Sequence, residues 1–118
     1  MKNDLLKTVS DLNNLIQNGK ALEAFEEYYD DAVVMQENET APRIGKALNR
    51  EYEKAFLNGV TEWKKALIKN VSVGDEVSMV EWEMEMTHSQ WGKMSRSQVS
   101  VQKWKNGKII SEKFYYGT

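Results

Sequence analysis

The fold is decided by residues 94–116, which read MSRSQVSVQKWKNGKIISEKFYY. Two runs of alternating residues flank the dipeptide Asn106-Gly107, and both of these residues tolerate the positive φ of a type I′ turn. The stretch therefore predicts a hairpin with a two-residue turn, in which Lys105 pairs with Lys108. The cross-strand pairs that follow from this register are Trp104 with Ile109, Val101 with Glu112, Val99 with Phe114 and Ser97 with Tyr116.

One face of the predicted hairpin is mainly apolar, and we assign it to the core. Its members are Val99, Val101, Ile110, Glu112, Phe114 and Tyr116. The opposite face is assigned to the outside of the protein. Its members are Gln98, Ser100, Gln102, Trp104, Ser111, Lys113 and Tyr115. Because a carboxyl and a phenol share the apolar face, Glu112 and Tyr116 are the first candidates for a functional site.

Length and composition describe a single domain over residues 1–118, with 41% hydrophobic and 29% charged residues. The net charge of −2, without a basic cluster interleaved with aromatic residues, argues against nucleic acid as a partner. The chain has no cysteine and a single histidine, which excludes disulfides, thiolate chemistry and a His-rich metal site. The amino terminus, MKNDLLKTVSDL, has no uninterrupted apolar run. We therefore expect neither a signal peptide nor a membrane span, and a cytoplasmic location.

Apolar spacing in the first half of the chain predicts three helices and a short strand. The first helix begins after Asn3-Asp4 and ends at Asn18-Gly19, in the manner of a left-handed C-cap. A short helix follows, with the apolar stripe Leu22, Phe25 and Tyr29, and Asp30-Asp31 ends it. The elements predicted after this helix are a strand over residues 33–36, a loop over residues 37–43 and a helix over residues 46–58 that Gly59 ends.

From Thr61 onward the period changes to two, which predicts strands over residues 62–73 and 76–88 joined by Gly74-Asp75. The pairs expected from this turn are Val73 with Glu76, Leu67 with Trp82, Trp63 with Met86 and Val71 with Ser78. One face of the second strand then holds Val80, Trp82, Met84, Met86 and His88. The other face holds Glu81, Glu83 and Glu85, with Lys64 across from Glu85. Helices followed by a meander of long strands predict an α+β domain, in which a strongly bent sheet wraps three helices.

Two segments resemble those of a known family. Residues 25–38, FEEYYDDAVVMQEN, resemble the helix-to-strand junction of the nuclear transport factor 2-like superfamily, and residues 98–116 resemble the closing hairpin of its SnoaL-like members. Gly92 and Glu81-Trp82 also stand where SnoaL-like proteins often have similar residues. The resemblance implies a cone-shaped fold with a mostly antiparallel sheet and a cavity that holds a small, largely apolar molecule. It also implies a homodimer packed through the outer face of the sheet.

The sequence departs from the ketosteroid-isomerase branch of that superfamily at two positions. Gln36 stands where the resemblance places a general-base aspartate, and Leu12 stands near the position of an oxyanion-hole tyrosine. Steroid-type isomerisation is therefore disfavoured unless Glu37 takes the place of the base by a one-residue shift. Strand alternation lets only one of Gln36 and Glu37 point inward, where Gln36 would orient a ligand and Glu37 would do acid–base work. The sequence leaves this choice open.

Three residues are candidates for chemistry. Burial of Glu112 would raise the pKa of its carboxyl and suit a general acid or base, whereas a position at the open rim, or an ion pair with Lys69 or Lys103, would be structural. His88 ends a strand and could shuttle protons at neutral pH, although such histidines are more often structural. Tyr116 could donate a hydrogen bond to a carbonyl oxygen, or simply be a core ring.

The remaining candidates concern ligands and partners. Trp82 and Met84 are predicted to line the cavity, while Trp63 and Met86 are better explained as core. The acidic strand face is expected to be solvated and paired with lysine, so we expect no metal and no cofactor. Trp104 and Tyr115 on the predicted outer face suggest an interface, most simply that of a homodimer or of a larger assembly.

These observations predict a SnoaL-like protein that binds a small apolar or aromatic molecule in its cavity. If the protein is an enzyme, the reaction would be cyclisation, isomerisation or hydration by proton transfer next to a carbonyl. Glu112 or His88 would then move the proton, and Tyr116 or Gln36 would hold the oxygen. The alternative is a non-catalytic ligand-binding or dimeric interaction module, which the missing base at Gln36 favours. The sequence does not decide between the two.

Overall fold

Three helices and six strands make up the fold in the computed structural model, which describes residues 2–117, with side chains from residue 4 onward. The helices are α1 (Lys2–Gln17), α2 (Ala21–Tyr28) and α3 (Lys46–Gly59). The strands are β1 (Tyr29–Glu37), β2 (Arg43–Ile44), β3 (Val60–Gly74), β4 (Val77–His88), β5 (Gly92–Lys105) and β6 (Lys108–Tyr116). The α+β class and the order of the predicted elements are confirmed, and β2 is an additional strand that begins at the last residue of the predicted loop.

All six strands form one sheet in the order β2-β1-β6-β5-β4-β3. Only β1 and β6 pair in parallel, so the sheet is mostly antiparallel, as predicted. The sheet is open, because β2 and β3 are its two edges and do not pair with each other. The strong bending of the sheet around the helices stays a prediction.

The amino-terminal helices supply one side of the core. Gly19 has φ 78° and follows α1, and the N–H of Lys20 bonds back to the carbonyl of Leu15, which is the predicted left-handed helix end. The fully or almost fully buried core side chains come from α1, α2, β1, β4, β5 and β6: Val9, Leu12, Ala24, Phe25, Tyr29, Val33, Met35, Val80, Trp82, Trp104 and Ile109. Among the helices in residues 2–117, none combines the length and the hydropathy needed to cross a membrane.

The closing hairpin has the predicted turn but not the predicted register. Lys105 pairs with Lys108 and Trp104 with Ile109, as expected, but Lys103 then pairs with Ser111, so Ile110 is an extra residue in β6. This bulge reverses the side-chain alternation of β6, so that Glu112 lies on the same face as Ile109, whereas the alternation of β5 continues without interruption. The pairs beyond the bulge are Gln102 with Glu112, Val101 with Lys113, Ser100 with Phe114, Val99 with Tyr115 and Gln98 with Tyr116.

The face assigned to the core on β5 is therefore wrong. Val99 and Val101 are only partly buried, whereas the residues predicted to face outward are the buried ones: Gln98, Ser100, Gln102 and Trp104. On β6 the assignment of Glu112, Phe114 and Tyr116 to the inner face holds, with Glu112 only 3% exposed. Of the two aromatic residues that suggested an outer interface, Trp104 is buried inside and only Tyr115 is exposed.

The hairpin of β3 and β4 also turns one residue later than predicted. Gly74 pairs with Val77 across Asp75-Glu76, and Glu76 takes the left-handed conformation at φ 56°. The predicted pairing of Val73 with Glu76 is wrong, but two further bulges in β3 restore Trp63 opposite Met86. The other two predicted pairs are replaced by Leu67 with Glu83, Ile68 with Trp82 and Val71 with Val80.

The two faces of β4 are those that the alternation predicts. Val80, Trp82, Met86 and His88 are buried on the inner face. The acidic residues lie on the other face, where Lys65 donates to Glu83 at 2.8 Å and Asn70 donates to Glu81 at 2.7 Å. Lys65 rather than Lys64 lies opposite Glu85, because of the bulges in β3. This acidic face is paired across the strands, as expected.

Candidate functional site

A pocket of about 360 Å³ opens between α3 and the inner face of the sheet, and we call it the inner pocket. Helix α3 and strands β1, β3, β4, β5 and β6 contribute to its wall, together with the loop after β4. The lining residues are Glu37, Tyr52, Glu53, Phe56, Trp63, Met84, Met86, Trp91, Met94, Arg96, Gln98, Phe114 and Tyr116. Its volume is in the range of small-molecule sites, and its wall mixes apolar with polar side chains.

One part of the wall is apolar and aromatic. Three methionines and two phenylalanines line it, and methionine side chains adapt readily to the shape of a ligand. Trp63 and Trp91 are also part of the wall and are 48% and 54% exposed. This part of the pocket can accept a flat, apolar body.

The polar part of the wall begins with an ion pair at the end of β1. Arg43 donates to Glu37 at 2.9 Å, and both side chains are largely buried. The fully buried Asn49 accepts a hydrogen bond from Arg43 and donates to the carbonyls of Arg43 and Gly45. The Arg43 guanidinium also lies 3.7 Å from the ring centre of Tyr52. These contacts fix Arg43, which compensates the charge of Glu37.

Glu53 lies one helical turn after Asn49 on α3 and reaches the pocket wall. Burial, and then the negative charge of Glu37, raise the pKa of Glu53 to about 7, although Arg43 opposes this rise. Within residues 4–117, no side chain or backbone group makes a hydrogen bond with the Glu53 carboxyl. Glu53 is therefore a pocket acid that can take or release a proton near neutral pH.

Two phenols and a guanidinium complete the polar part. Burial, and then the charge of Glu37, raise the pKa of both Tyr52 and Tyr116, which keeps these hydroxyls protonated at neutral pH. Arg96 stacks on the ring of Tyr116 at 3.9 Å, and its single side-chain hydrogen bond to the described residues is a long one of 3.4 Å to Gln98. No carboxylate of the described residues lies within ion-pair distance of Arg96.

Behind the pocket lies a buried chain of hydrogen bonds, which we call the polar network. Tyr29 donates its hydroxyl to one oxygen of Glu112, and Gln102 donates to the other at 2.8 Å. Ser78 donates to Gln102 at 2.6 Å, and Trp104 donates to Ser78 at 2.9 Å. These hydrogen bonds explain why the polar residues of β5 lie inside, because each buried group finds a partner there.

Burial also perturbs the carboxyl at the centre of the polar network. Desolvation raises the pKa of Glu112 to about 7, against the lowering effect of the hydrogen bonds from Tyr29 and Gln102. The charges of Glu53 and Glu37 raise it further. Burial, followed by the charge of Glu112, holds the pKa of Tyr29 well above its ordinary value.

The predicted site residues are divided between these regions. Glu37, Met84 and Tyr116 line the inner pocket, so the structure places Glu37 rather than Gln36 on the pocket wall. The Gln36 amide instead donates to the carbonyl of Thr40 at 2.8 Å. Trp82 belongs to the core, and Glu112 lies in the polar network rather than on the pocket wall. Their functional roles stay predictions.

His88 lies behind the aromatic rim of the pocket. Its ring is 4% exposed and stacks on Trp91 at 4.1 Å and on Phe56 at 5.6 Å between ring centres. Nδ1 accepts the N–H of Gln90 at 3.1 Å, while Nε2 has no hydrogen-bond partner among the described residues. Gly59 leaves room for this ring, since a Cβ at that position would lie 2.2 Å from Nε2. His88 supports the rim and does not line the pocket.

Sequence reasoning missed Glu53 and Arg96. Glu53 stands between Tyr52 and Phe56, on the border of the apolar stripe of α3, and this acid beside a buried stripe was an available signal. Arg96 lies on the same face of β5 as Gln98, which the predicted register assigned to the outside of the protein. No signal in the sequence predicts the bulge in β6 that sets the register between the two strands.

Comparison with known proteins identifies the family. The model of the SnoaL-like domain matches residues 6–116, and the chain therefore belongs to the SnoaL-like domain family. No curated protein matches the chain.

Among solved structures, the fold is similar to that of a Mesorhizobium loti protein proposed to be a SnoaL-like polyketide cyclase. The identity is 22%, the TM-score is 0.85, and the match covers 95% of this chain and 98% of the other. An LEH-like epoxide hydrolase of M. tuberculosis is also similar, with 12% identity, a TM-score of 0.79 and coverage of 98% and 84%. A proposed isomerase of Rhodopseudomonas palustris has 15% identity, a TM-score of 0.74 and coverage of 97% and 89%. At these identities the similarity shows the shared fold.

Proposed function

We propose that the protein is an acid–base enzyme that binds a small, largely apolar carbonyl compound in the inner pocket. The observation that carries this proposal is Glu53, a pocket-wall carboxyl with a pKa of about 7 and no hydrogen bond from the described residues. A carboxyl with such a pKa accepts and returns protons efficiently at neutral pH. The similar folds of proteins described as a polyketide cyclase, an isomerase and an epoxide hydrolase support an enzyme.

The proposed reaction begins with removal of a proton from the carbon next to the carbonyl by ionised Glu53. Negative charge then develops on the carbonyl oxygen, and the protonated hydroxyl of Tyr116 or Tyr52 donates a hydrogen bond to it. Return of the proton from Glu53 to another carbon would complete an isomerisation. Attack of the enolate carbon on a second carbonyl of the same molecule would form the new carbon–carbon bond of a cyclisation, and Glu53 would then return its proton to the oxygen of that second carbonyl. Glu112 is coupled to Glu53, because the charge of Glu53 raises the pKa of Glu112.

Exchange of α-hydrogen for deuterium tests this proposal. In D₂O, wild-type protein should accelerate the loss of the α-hydrogen signals of 2-tetralone in proton NMR at least tenfold over buffer. The rate should rise with pH up to about 7, because ionised Glu53 is the base, and should be level above it. Glu53→Gln should return the rate to that of buffer, whereas Glu51→Gln, on the exposed side of the same helix, should leave it unchanged.

A non-catalytic ligand-binding protein is the second candidate. It is favoured by the Arg43–Glu37 ion pair, which neutralises the inward carboxylate of β1. In that case 2-tetralone would perturb the NMR signals of the pocket residues without accelerated exchange. Full exchange activity in Glu53→Gln would instead contradict the role proposed for Glu53.

We further propose a homodimer through the outer face of the sheet. The exposed apolar side chains that support it are Met79 and Tyr115, which are 47% and 44% exposed. These two side chains form a small apolar patch on an otherwise polar sheet face. Because the patch is small, a charged side chain at either position should weaken the dimer. Sedimentation equilibrium should show a dimer for wild type and a monomer for Tyr115→Glu, and a monomeric wild type at 0.1 mM would contradict the proposal.

A further inference from the structure

Arg96 is the one lining side chain of the inner pocket that carries a permanent charge without a counter-charge in the described part of the chain. Its guanidinium packs over Tyr116, and the only hydrogen bond that it makes with residues 4–117 is 3.4 Å long. A guanidinium has five N–H donors, so most of them have no protein acceptor. Arg43, in contrast, donates to the Glu37 carboxylate at 2.9 Å and to Asn49 at 3.0 Å, and so has a counter-charge.

The geometry points to Arg96 as the binding group for the carboxylate of a small molecule with an apolar, aromatic body. This inference rests on the proposed function, because the ligand would occupy the same pocket. The fork of the guanidinium matches the two oxygens of a carboxylate, and such paired, charge-assisted hydrogen bonds are among the strong ones in proteins. Tyr116, under the guanidinium, limits the orientations that the fork can take.

The charges around Arg96 favour a monoanion. Glu37 on β1 is neutralised by Arg43 on β2, so Arg96 on β5 is the remaining positive charge of the pocket wall. Glu53 on α3 is the remaining acid of the wall, with the phenols of Tyr52 and Tyr116 beside it. A phosphate dianion would meet a single cation and these acids, whereas one carboxylate matches the charge of one guanidinium.

The apolar lining determines the rest of the ligand. Trp63 and Trp91 on the exposed side, with Met84 and Met94 on the wall, offer flat and adaptable contacts to an aromatic ring. The pocket of about 360 Å³ limits this body to a small one. The ligand class is therefore a compact aryl carboxylate, anchored at one end by Arg96 and covered at the other by aromatic and methionine side chains.

Binding of 1-naphthoate and its neutral analogue 1-naphthamide tests the inference, with Trp fluorescence as the readout. Wild type should bind 1-naphthoate at least tenfold more tightly than 1-naphthamide, because only the anion pairs with the guanidinium. Arg96→Gln should weaken 1-naphthoate about tenfold or more and leave 1-naphthamide unchanged. Lys103→Gln, the same change of charge at an exposed position of the same strand, should affect neither.

The outcomes separate this inference from the proposed function. Equal binding of the two probes, or an unchanged affinity of Arg96→Gln for 1-naphthoate, would overturn the role of Arg96 while the acid–base proposal stands. Binding of neither probe at millimolar concentration would overturn the ligand class. Loss of 2-tetralone exchange activity only in Glu53→Gln, together with selective 1-naphthoate binding, would support both.

Discussion

The inner pocket and the polar network each contain a glutamate whose pKa is about 7, and the two carboxyls differ in their hydrogen bonds and in their access to the pocket. Glu53 reaches the pocket wall and makes no hydrogen bond with the described residues. Glu112 is 3% exposed, and both of its oxygens accept hydrogen bonds, from Tyr29 and Gln102. Burial is the first cause of the raised pKa in both cases.

This difference shows that a raised pKa reports burial, not access to a ligand. A carboxyl that exchanges protons with a small molecule must also contact the space that the molecule occupies. Glu53 meets both conditions, whereas Glu112 meets the first. We therefore expect Glu112 to contribute mainly to stability and Glu53 mainly to chemistry.

The largest expected difference between the two regions is in stability. Glu112→Ala leaves the buried donors of Tyr29 and Gln102 without acceptors and creates a cavity, and should lower the free energy of unfolding by about 3 kcal/mol. Glu53→Ala removes a side chain without hydrogen bonds at the edge of open space, and should change that free energy by less than about 1 kcal/mol. Urea unfolding at pH 7 measures both, and equal losses would contradict the distinction.

Glu112 should also determine how the free energy of unfolding depends on pH. Folded Glu112 has a pKa of about 7 against an ordinary value of 4.5, so the folded state binds the proton more tightly. Its stabilising contribution is fully present below about pH 4.5, is lost as the pH rises to about 7 and is constant above. The loss amounts to roughly 3 kcal/mol.

Glu112→Gln, which cannot ionise, isolates this contribution. The advantage in unfolding free energy of wild type over Glu112→Gln should fall between pH 4.5 and 7. Glu53 stays in both proteins, so the difference reports the titration of Glu112 together with its coupling to Glu53. An advantage that is constant with pH, or one that grows, would show that the carboxyl of Glu112 is not destabilised by burial.

A smaller effect on stability is expected at the rim of the pocket, where the His88 ring packs against Gly59. In Gly59→Ala the new Cβ would meet the His88 ring at 2.2 Å, so the variant should lose about 2 kcal/mol of stability. Adding His88→Ala removes the clash, and the double variant should recover part of that loss in a double-mutant cycle. Independent, additive losses would mean that the two residues do not pack together.

The smallest effect concerns the charges that act on Glu53. Because the charge of Glu37 raises the pKa of Glu53, Glu37→Gln should lower that pKa below 7. Arg43→Gln should raise it, since Arg43 opposes the rise. Glu37 is the weakest of the causes that act on Glu112, so the pKa of Glu112 should move less. NMR titration of ¹³C-labelled glutamate measures both, and an unchanged pKa of Glu53 in both variants would contradict the account.

Much of the architecture could be predicted from local patterns. Asn106-Gly107 set the hairpin turn, and the strict alternation from Val80 to His88 set the inner face of β4. Both signals are local, because a turn or an alternating strand needs only its own neighbours in sequence.

The inner face of β5 could not be predicted in this way. Apolarity favoured Val99 and Val101 for the core, but the buried face of β5 is that of Gln98, Gln102 and Trp104. The bulge at Ile110 turns Glu112 of β6 to the same face. Gln102 is acceptable there because Ser78 and Glu112, both distant in sequence, complete its hydrogen bonds. The pocket acid Glu53 likewise depends on Glu37 and Arg43, which reach it only through the tertiary fold.

The most direct test of the central distinction is one ¹³C NMR titration of both carboxyls, with and without bound 1-naphthoate. We expect Glu53 and Glu112 both to titrate near pH 7 in the free protein. The probe should then shift the Glu53 signal and its pKa, and leave those of Glu112 nearly unchanged. A Glu53 that titrates near its free value of about 4.3, or a probe response confined to Glu112, would contradict the assignment of the inner pocket as the functional site.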